Sequence, residues 1–150
     1  MDENVNVRGK DIIIPATPMA LFSLFTNLES IVDRLPEEYR NQVSVSGDVV
    51  KLSVQGMNLT LELDQKVPFS YVGVRSVESP VPFRFEFRME PMEFDKSLFH
   101  LEMSCKMNMM MKMMIGGKLQ KVVDKISDQI ELALSGQMPS VDDLKNTSFS

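Results

Sequence analysis

Residues 107–126 read MNMMMKMMIGGKLQKVVDKI, a methionine-rich segment that continues as an amphipathic helix. Asn108 suits the N-cap position, because its side-chain oxygen accepts a hydrogen bond from a free amide of the first turn. Gly136 is a typical helix stop. The pattern therefore predicts one long helix from Asn108 to Ser135 with an apolar stripe on one face. The stripe consists of Leu119, Val122, Val123, Ile126, Ile130 and Leu134.

Two segments before this helix alternate between apolar and polar residues, as strands with one buried face do. The apolar positions of the first segment are Phe83, Phe85, Phe87 and Met89. Those of the second segment are Phe99, Leu101, Met103, Cys105 and Met107. The sequence therefore predicts two long neighbouring strands whose large side chains share one face of a sheet.

A strand and two short helices are predicted near the beginning of the chain. The strand is indicated by β-branched residues that end with Ile12–Ile14. Thr17 followed by Pro18 is typical of a helix start, because a hydroxyl caps free amides and proline suits the first turn. Asn27 is expected to cap the second helix, whose apolar residues at helical spacing are Leu28, Ile31, Val32 and Leu35.

From residue 43 the period changes to that of strands, and it predicts an antiparallel meander of about six strands in all. The apolar positions of its early strands include Val50, Leu52, Val54, Leu59, Leu61 and Leu63. The strand at residues 70–77 leaves two orientations open. Either Val72 and Val74 face the core, or Tyr71 and Arg75 do.

Length and composition are those of one ordinary globular domain. The chain has 150 residues, of which 43% are hydrophobic and 25% charged. A chain of this size buries about 70% of the surface that its unfolded form exposes, so it needs no disulfide to be stable. We expect a single domain at residues 1–135 and a flexible tail at residues 136–150, where apolar residues are few.

Charge and hydropathy exclude several kinds of partner. The net charge is −5, and the basic residues are scattered among acidic ones, so no nucleic-acid partner is predicted. No apolar run is long enough for stable membrane insertion. The first residues, Met1-Asp2-Glu3, do not resemble a secretory signal, and a cytoplasmic location is expected.

The chemically active side chains show no catalytic arrangement. His100 lies in the polar phase of its strand, and Cys105 lies in the apolar phase, where a thiol is inert. Acidic residues also follow the polar phases and predict a solvated outer face: Glu62, Asp64, Glu86, Glu90 and Glu102. No metal or cofactor motif is present, so no cofactor is predicted, and the sequence favours a non-enzymatic role.

The order of predicted elements, together with MNMMMKMMIGGKLQKVVDKI, resembles the helix-grip superfamily over residues 5–135. This superfamily, called SRPBCC, includes the START lipid-binding domains, plant pathogenesis-related allergens and polyketide cyclase and dehydrase-like proteins. The chain looks most like small uncharacterised bacterial members of the cyclase-like group. The resemblance implies an α+β fold, β-α-α-β(6)-α, with a curved antiparallel sheet wrapped around the long C-terminal helix. It also implies an apolar cavity between sheet and helix, and no shared catalytic motif.

Two functional hypotheses follow from this resemblance and the apolar faces. The first is a cytosolic binder or carrier of a small hydrophobic molecule, lipid-like or polyketide-like. The second is a protein-interaction module similar to the chaperone-activator branch, with a collapsed cavity. A third and weaker hypothesis is a cyclase or dehydratase, which would need Tyr71 and Arg75 inside the cavity. Both side chains are alternatively expected to reach solvent.

The predicted ligand-binding residues combine the two long strands, the last helix and the ambiguous strand. They are Phe83, Phe85, Phe87, Met89, Phe99, Leu101, Met103, Met107, Met110, Met114, Val122, Ile126, Tyr71 and Arg75.

The methionines have two interpretations: they form an adaptable surface for a ligand, or they fill the space where the last strand meets the helix. Gly116 and Gly117 each cost a helix about 1 kcal/mol, which we expect to be offset by close contact with the sheet or by a bend.

Overall fold

The computed structural model describes residues 3–33, 37–54, 57–77 and 81–134. The expected tail, Ser135 at the predicted helix end, and Leu35 lie outside these ranges. The elements in chain order are β1 (Glu3–Arg8), β2 (Ile12–Ile14), α1 (Pro18–Thr26), α2 (Leu28–Asp33), α3 (Glu37–Arg40), β3 (Val43–Ser46), β4 (Val49–Val54), β5 (Met57–Val67), β6 (Tyr71–Val77), β7 (Phe83–Met92), β8 (Lys96–Met107) and α4 (Met109–Leu134).

The described strands form one curved antiparallel sheet in the order β1-β8-β7-β6-β5-β4-β3, with β2 also paired to β8. The predicted helix-grip architecture is confirmed, with a long C-terminal helix against the sheet. Two details differ from the prediction. The first strand is split at Gly9 into β1 and β2, and the short helix α3 follows α2.

The two long strands pair as their alternation predicts. Phe85 lies opposite Met103, Phe87 opposite Leu101, and the other apolar positions follow the same register. The adjacent strand β6 places Val74 opposite Phe85, so Val74 and Val72 face inward. This register settles the orientation that the sequence left open, and it sends Tyr71 and Arg75 to the outer face of the sheet.

Capping side chains fix the starts of three helices where the sequence predicts them. The Thr17 hydroxyl accepts a hydrogen bond from the Ala20 amide at 3.2 Å. Asn27 Oδ1 accepts from the Ser30 amide at 3.2 Å, and Asn108 Oδ1 accepts from the Met111 amide at 2.8 Å. Each bond satisfies an amide that has no partner within its own helix. No helix in the described part of the chain is long and apolar enough to cross a membrane.

Helix α4 lies very close to the sheet at Gly9, between β1 and β2. A Cβ atom at this glycine would lie 2.4 Å from Ser127 Oγ, 3.0 Å from Val123 Cγ1 and 3.2 Å from the Leu101 carbonyl oxygen. Val123 and Ser127 are both completely buried. The missing side chain of Gly9 is therefore what allows the helix to lie on the sheet at this point.

We expect Gly9→Ala to lower the free energy of unfolding by about 1–3 kcal/mol, because the new methyl group overpacks a filled space. Urea denaturation measures the change. Adding Ser127→Ala removes the nearest atom and should restore part of the loss, which a double-mutant cycle would detect. A fully additive cycle would contradict the proposed contact between these two positions.

The Gly116–Gly117 pair does not have the expected close contact with the sheet. Apart from the neighbouring backbone of α4 itself, a Cβ atom at Gly117 would meet no heavy atom within 4 Å, and one at Gly116 would meet only Lys112 Cγ at 3.4 Å. Helix α4 runs from Met109 to Leu134 through both glycines. The expectation of an offsetting contact is therefore wrong, since the helix passes both positions with open space around them.

Gly117→Ala should raise the free energy of unfolding by about 0.5–1 kcal/mol, because alanine loses less backbone entropy in a helix. The same urea denaturation assay measures it, and its sign is opposite to that expected for Gly9→Ala. A destabilised Gly117→Ala variant would mean that a contact at this position had been overlooked.

Candidate functional site: an apolar cavity under the sheet

An apolar cavity of about 370 Å³ lies between the inner face of β4–β7 and the helices α1, α2 and α4. Strand residues and helix residues line opposite sides, and one acidic residue lies among them. The described lining residues are Phe25, Leu28, Ile31, Asp48, Val50, Leu52, Leu61, Leu63, Val74, Phe85, Phe87, Ile126 and Ile130.

The position of the cavity follows from how the helices cover the sheet. Helix α4 packs mainly on β1, β2 and β8, and α1 packs on β6 and β7. The inner face of β4 and β5 has less helix over it, so Val50, Leu52 and Leu61 remain only half-buried. Their apolar side chains therefore border open space rather than a packed core.

A cluster of three aromatic rings separates the cavity from the packed core. The Phe25 ring contacts Phe87 edge-on at 4.9 Å and stacks on Phe99 at 5.3 Å, measured between ring centroids. Phe99 is fully buried, whereas Phe25 and Phe87 also line the cavity. The edge-on and stacked geometries are those that aromatic rings prefer, so this side of the cavity is rigidly built.

A second apolar groove of about 410 Å³ runs between α1, α2 and the C-terminal half of α4. Its described lining residues are Leu24, Phe25, Ile31, Lys125, Ile126, Gln129, Ile130, Ala133 and Leu134. It shares Phe25, Ile31, Ile126 and Ile130 with the cavity. These four side chains are thus the partition between the groove and the cavity.

Asp48 is the one ionisable residue in the described lining of the cavity. It follows Gly47, whose φ of 60° lies in the left-handed region, in the turn between β3 and β4. Both carboxylate oxygens accept hydrogen bonds from Lys66 Nζ, at 2.9 and 2.8 Å. The charge of Asp48 is therefore already paired, and apolar contact is the main interaction that the lining offers.

The structure distributes the predicted ligand-binding residues over several environments. Phe85, Phe87 and Ile126 line the cavity. The buried core, outside the cavity lining, holds Met89, Phe99, Leu101, Met103 and Met107. Phe83 is half-buried, with its ring edge-on to Phe85 at 5.7 Å. Met110, Met114 and Val122 are exposed by 71%, 69% and 40%.

Sequence reasoning left most of the lining out of the predicted site. Leu28 and Ile31 belong to the predicted apolar side of the second helix. The apolar phase of the early strands includes Val50, Leu52, Leu61 and Leu63. The signal was therefore present in the periodicity. Phe25 belongs to the predicted buried stripe of the first helix. Asp48 carries no such indication, because a turn residue belongs to no sheet alternation.

Tyr71 and Arg75 lie on the outer face of the sheet, away from the cavity. Arg75 Nη2 donates to Glu62 Oε1 at 2.8 Å. The Tyr71 hydroxyl donates to Glu86 Oε1 at 3.0 Å and accepts from Arg84 Nη2 at 2.9 Å. Burial raises the pKa of the Tyr71 phenol, while the bond from Arg84 acts in the opposite direction. Neither side chain orients toward the cavity that the cyclase hypothesis would use.

The same outer-face network extends across β7 and β8. Arg84 forms an ion pair with Asp64. Arg88 Nε lies 2.6 Å from Glu102 Oε2, and His100 Nε2 lies 2.9 Å from the same oxygen. Burial alone would raise the pKa of the Glu102 carboxyl, but the bond with His100 and the charge of Arg88 lower it. The acidic residues predicted to be solvated are thus largely tied to basic neighbours.

Tyr71→Phe should lower the free energy of unfolding by about 1 kcal/mol, because it removes a hydroxyl that makes two hydrogen bonds. Urea denaturation measures the loss. Ser44→Ala, an exposed change on β3, is the matched control and should stay within about 0.5 kcal/mol of the parent. Equal stability of Tyr71→Phe and the control would show that the network contributes nothing.

The described lining of the cavity contains no histidine and no cysteine. Within the ranges that the structure describes, no three His, Cys, Asp or Glu residues could hold a metal ion together. Cys105 is buried on β8, and burial raises the pKa of its thiol. The prediction of an inert, packed thiol agrees with this placement.

Comparison with known proteins identifies the fold. No protein-family model matches the sequence, and no curated protein matches it either. Norcoclaurine synthase from Thalictrum flavum, in complex with dopamine and hydroxybenzaldehyde, superposes with a TM-score of 0.64 at 12% identity, covering 86% of this chain and 87% of that one.

Two bacterial structures extend the likeness. A START superfamily protein from Mycobacterium smegmatis gives a TM-score of 0.54 at 12% identity, covering 84% of this chain and 94% of that one. The protein XoxI from Bacillus cereus gives 0.53 at 17% identity, covering 70% and 78%. The chain therefore has the helix-grip fold of START-like, SRPBCC-type proteins, as its sequence predicts.

Proposed function

We propose that the chain is a cytoplasmic binder or carrier of one small hydrophobic molecule, held in the cavity between β4–β7 and the helices. The observation that carries this proposal is the cavity itself, about 370 Å³ of space with an almost wholly apolar lining. Ligand pockets in proteins measure about 300–1,000 Å³. The volume is near the lower limit, which favours a compact lipid-like or polyketide-like molecule over a complete phospholipid.

The energetic cost of such a space also supports a ligand. Closed cavities in protein cores cost about 24 cal/mol per Å³, so a closed and dry void of 370 Å³ would cost about 9 kcal/mol. This cavity opens to solvent on one side, so that value is the upper limit of the cost. That value is comparable with the entire stability of a typical domain. Water would lower the cost only in part, since the lining offers it few hydrogen bonds. A ligand with apolar surface would remove the cost and gain the corresponding free energy of binding.

The structural neighbours offer a parallel. Norcoclaurine synthase, with the same fold, was captured with dopamine and hydroxybenzaldehyde, which are small organic molecules. The cavity of this chain differs from a reactive site in one respect: its single described ionisable group, Asp48, is bonded to Lys66. Binding or transport therefore fits the lining better than acid-base chemistry. The open cavity also argues against an interaction module with a collapsed interior.

We expect Ile126→Phe to weaken binding of the neutral fluorophore N-phenyl-1-naphthylamine at least about tenfold, or 1.4 kcal/mol. The larger ring would occupy the space that the ligand needs. Val122→Phe is the matched control, because it makes a similar change one turn earlier on α4, outside the cavity lining and 40% exposed. It should bind the fluorophore as the parent does. Fluorescence titration gives the dissociation constants.

Native mass spectrometry of the protein as purified complements this titration. It should reveal a bound apolar species in the parent and less of it in Ile126→Phe. The proposal fails if the parent neither binds the fluorophore nor retains a small molecule. It also fails if Ile126→Phe and Val122→Phe bind the fluorophore equally well.

A further inference from the structure

Four methionines at the beginning of α4 point into solvent, against the usual preference of this residue for the interior. The exposed fractions of Met109, Met110, Met113 and Met114 are 65%, 71%, 82% and 69%. The two readings of the methionine run, cavity surface or core filler, therefore both fail for Met110 and Met114. Three other methionines behave as core residues, namely Met89, Met103 and Met107, with at most 7% exposure.

Helical spacing brings these four thioethers together. Met110, Met113 and Met114 occupy positions i, i+3 and i+4, and Met109 lies one turn before Met113. Side chains at such positions are neighbours, with Cβ atoms about 5–6 Å apart. Long side chains on a helix lean toward its N-terminus, so Met113 and Met114 extend toward Met109 and Met110. Three rotatable bonds in each side chain allow the sulfur atoms of Met110, Met113 and Met114 to approach one another, with Met109 next to Met113.

The chemistry of a thioether narrows what such a cluster could bind. It is neutral, polarizable and a weak hydrogen-bond acceptor, and it prefers soft cations such as Cu(I) to Ca²⁺, Mg²⁺ and other hard cations. The helix dipole also opposes a cation at an N-terminus. A hard cation would therefore gain no binding free energy at this position. For a soft cation, ligation by sulfur would outweigh the unfavourable helix dipole.

We propose that Met110, Met113 and Met114, with Met109 as a fourth thioether, form a surface site for one soft monovalent cation of the Cu(I) class. This methionine site is separate from the cavity, which meets α4 at Ile126 and Ile130, about three turns further along the helix. It therefore does not depend on the proposed function. It accounts for four exposed thioethers on two successive turns, which packing does not explain.

Silver ion is the practical probe, because it is soft, monovalent and stable in air. The protein is labelled with [¹³C-methyl]methionine. We expect one equivalent of Ag⁺ to shift the methyl NMR signals of the four methionines of the site, which are Met109, Met110, Met113 and Met114. The signals of Met89, Met103 and Met107 should not move. Cu(I), titrated without oxygen against a chromogenic chelator, should bind with the same stoichiometry. Shifts confined to other methionines would overturn the proposal.

A triple variant, Met110→Leu/Met113→Leu/Met114→Leu, isolates the role of sulfur, because leucine preserves apolar volume and helix propensity. It should bind Ag⁺ at least tenfold more weakly than the parent. The matched control is Met19→Leu/Met92→Leu, which removes two other exposed methionines, 59% and 39% accessible, and should bind Ag⁺ unchanged. Equal affinity in both variants would overturn the proposal.

The thiol of Cys105 is the competing soft ligand, and it is buried. Both variants are therefore also measured in a Cys105→Ala background, with circular dichroism to verify folding. Loss of Ag⁺ binding through Cys105→Ala alone would assign the ion to the thiol and refute the methionine site. If Cys105→Ala does not fold, the methionine methyl shifts of the parent protein still decide, since they report each sulfur directly.

Discussion

The contact of α4 with the sheet at Gly9 is the constraint on which the remaining architecture depends. The helix lies so close here that a Cβ atom would be 2.4 Å from Ser127 Oγ. The fixed contact holds α4 over β1, β2 and β8, and those strands contribute the most buried side chains. Lys10, next to the glycine, pairs with Asp128 and Glu131, but these exposed pairs add little stability. Steric fit rather than charge therefore positions the helix.

Because α4 covers only the β1, β2 and β8 part of the inner face, α1 and α2 must cover the rest of that face, and they do so incompletely. Phe25 of α1 reaches the core through its contacts with Phe87 and Phe99. Beyond this aromatic cluster, the described helix side chains line the space over β4 and β5 without filling it. The cavity is thus a consequence of where the two helical layers meet the sheet.

The sequence predicted the fold well because its signals are local and redundant. The alternation in β7 and β8 identifies these strands from their own residues alone. The three N-cap residues likewise identify helix starts without reference to the rest of the fold. The cavity lining depends instead on which part of an apolar face is covered. Phe85 and Leu101 have the same phase, yet one borders the cavity and the other is fully buried. Periodicity shows which face of a strand is apolar. The position of α4 decides which residues on that face are fully buried and which border the cavity.

The same distinction applies to the last helix. Val122 and Val123 both fit an apolar stripe, but a rotation of about 100° per residue makes Val123 completely buried and leaves Val122 40% exposed. In the methionine run of α4 every position except Lys112 is apolar, so the sequence carries little information about which face is buried. Only the sheet contact made by Met111 and Ile115 determines that the other four thioethers face water. An almost wholly apolar segment on a helix that covers one face of a sheet must expose part of itself, and its exposed chemistry then needs a separate explanation.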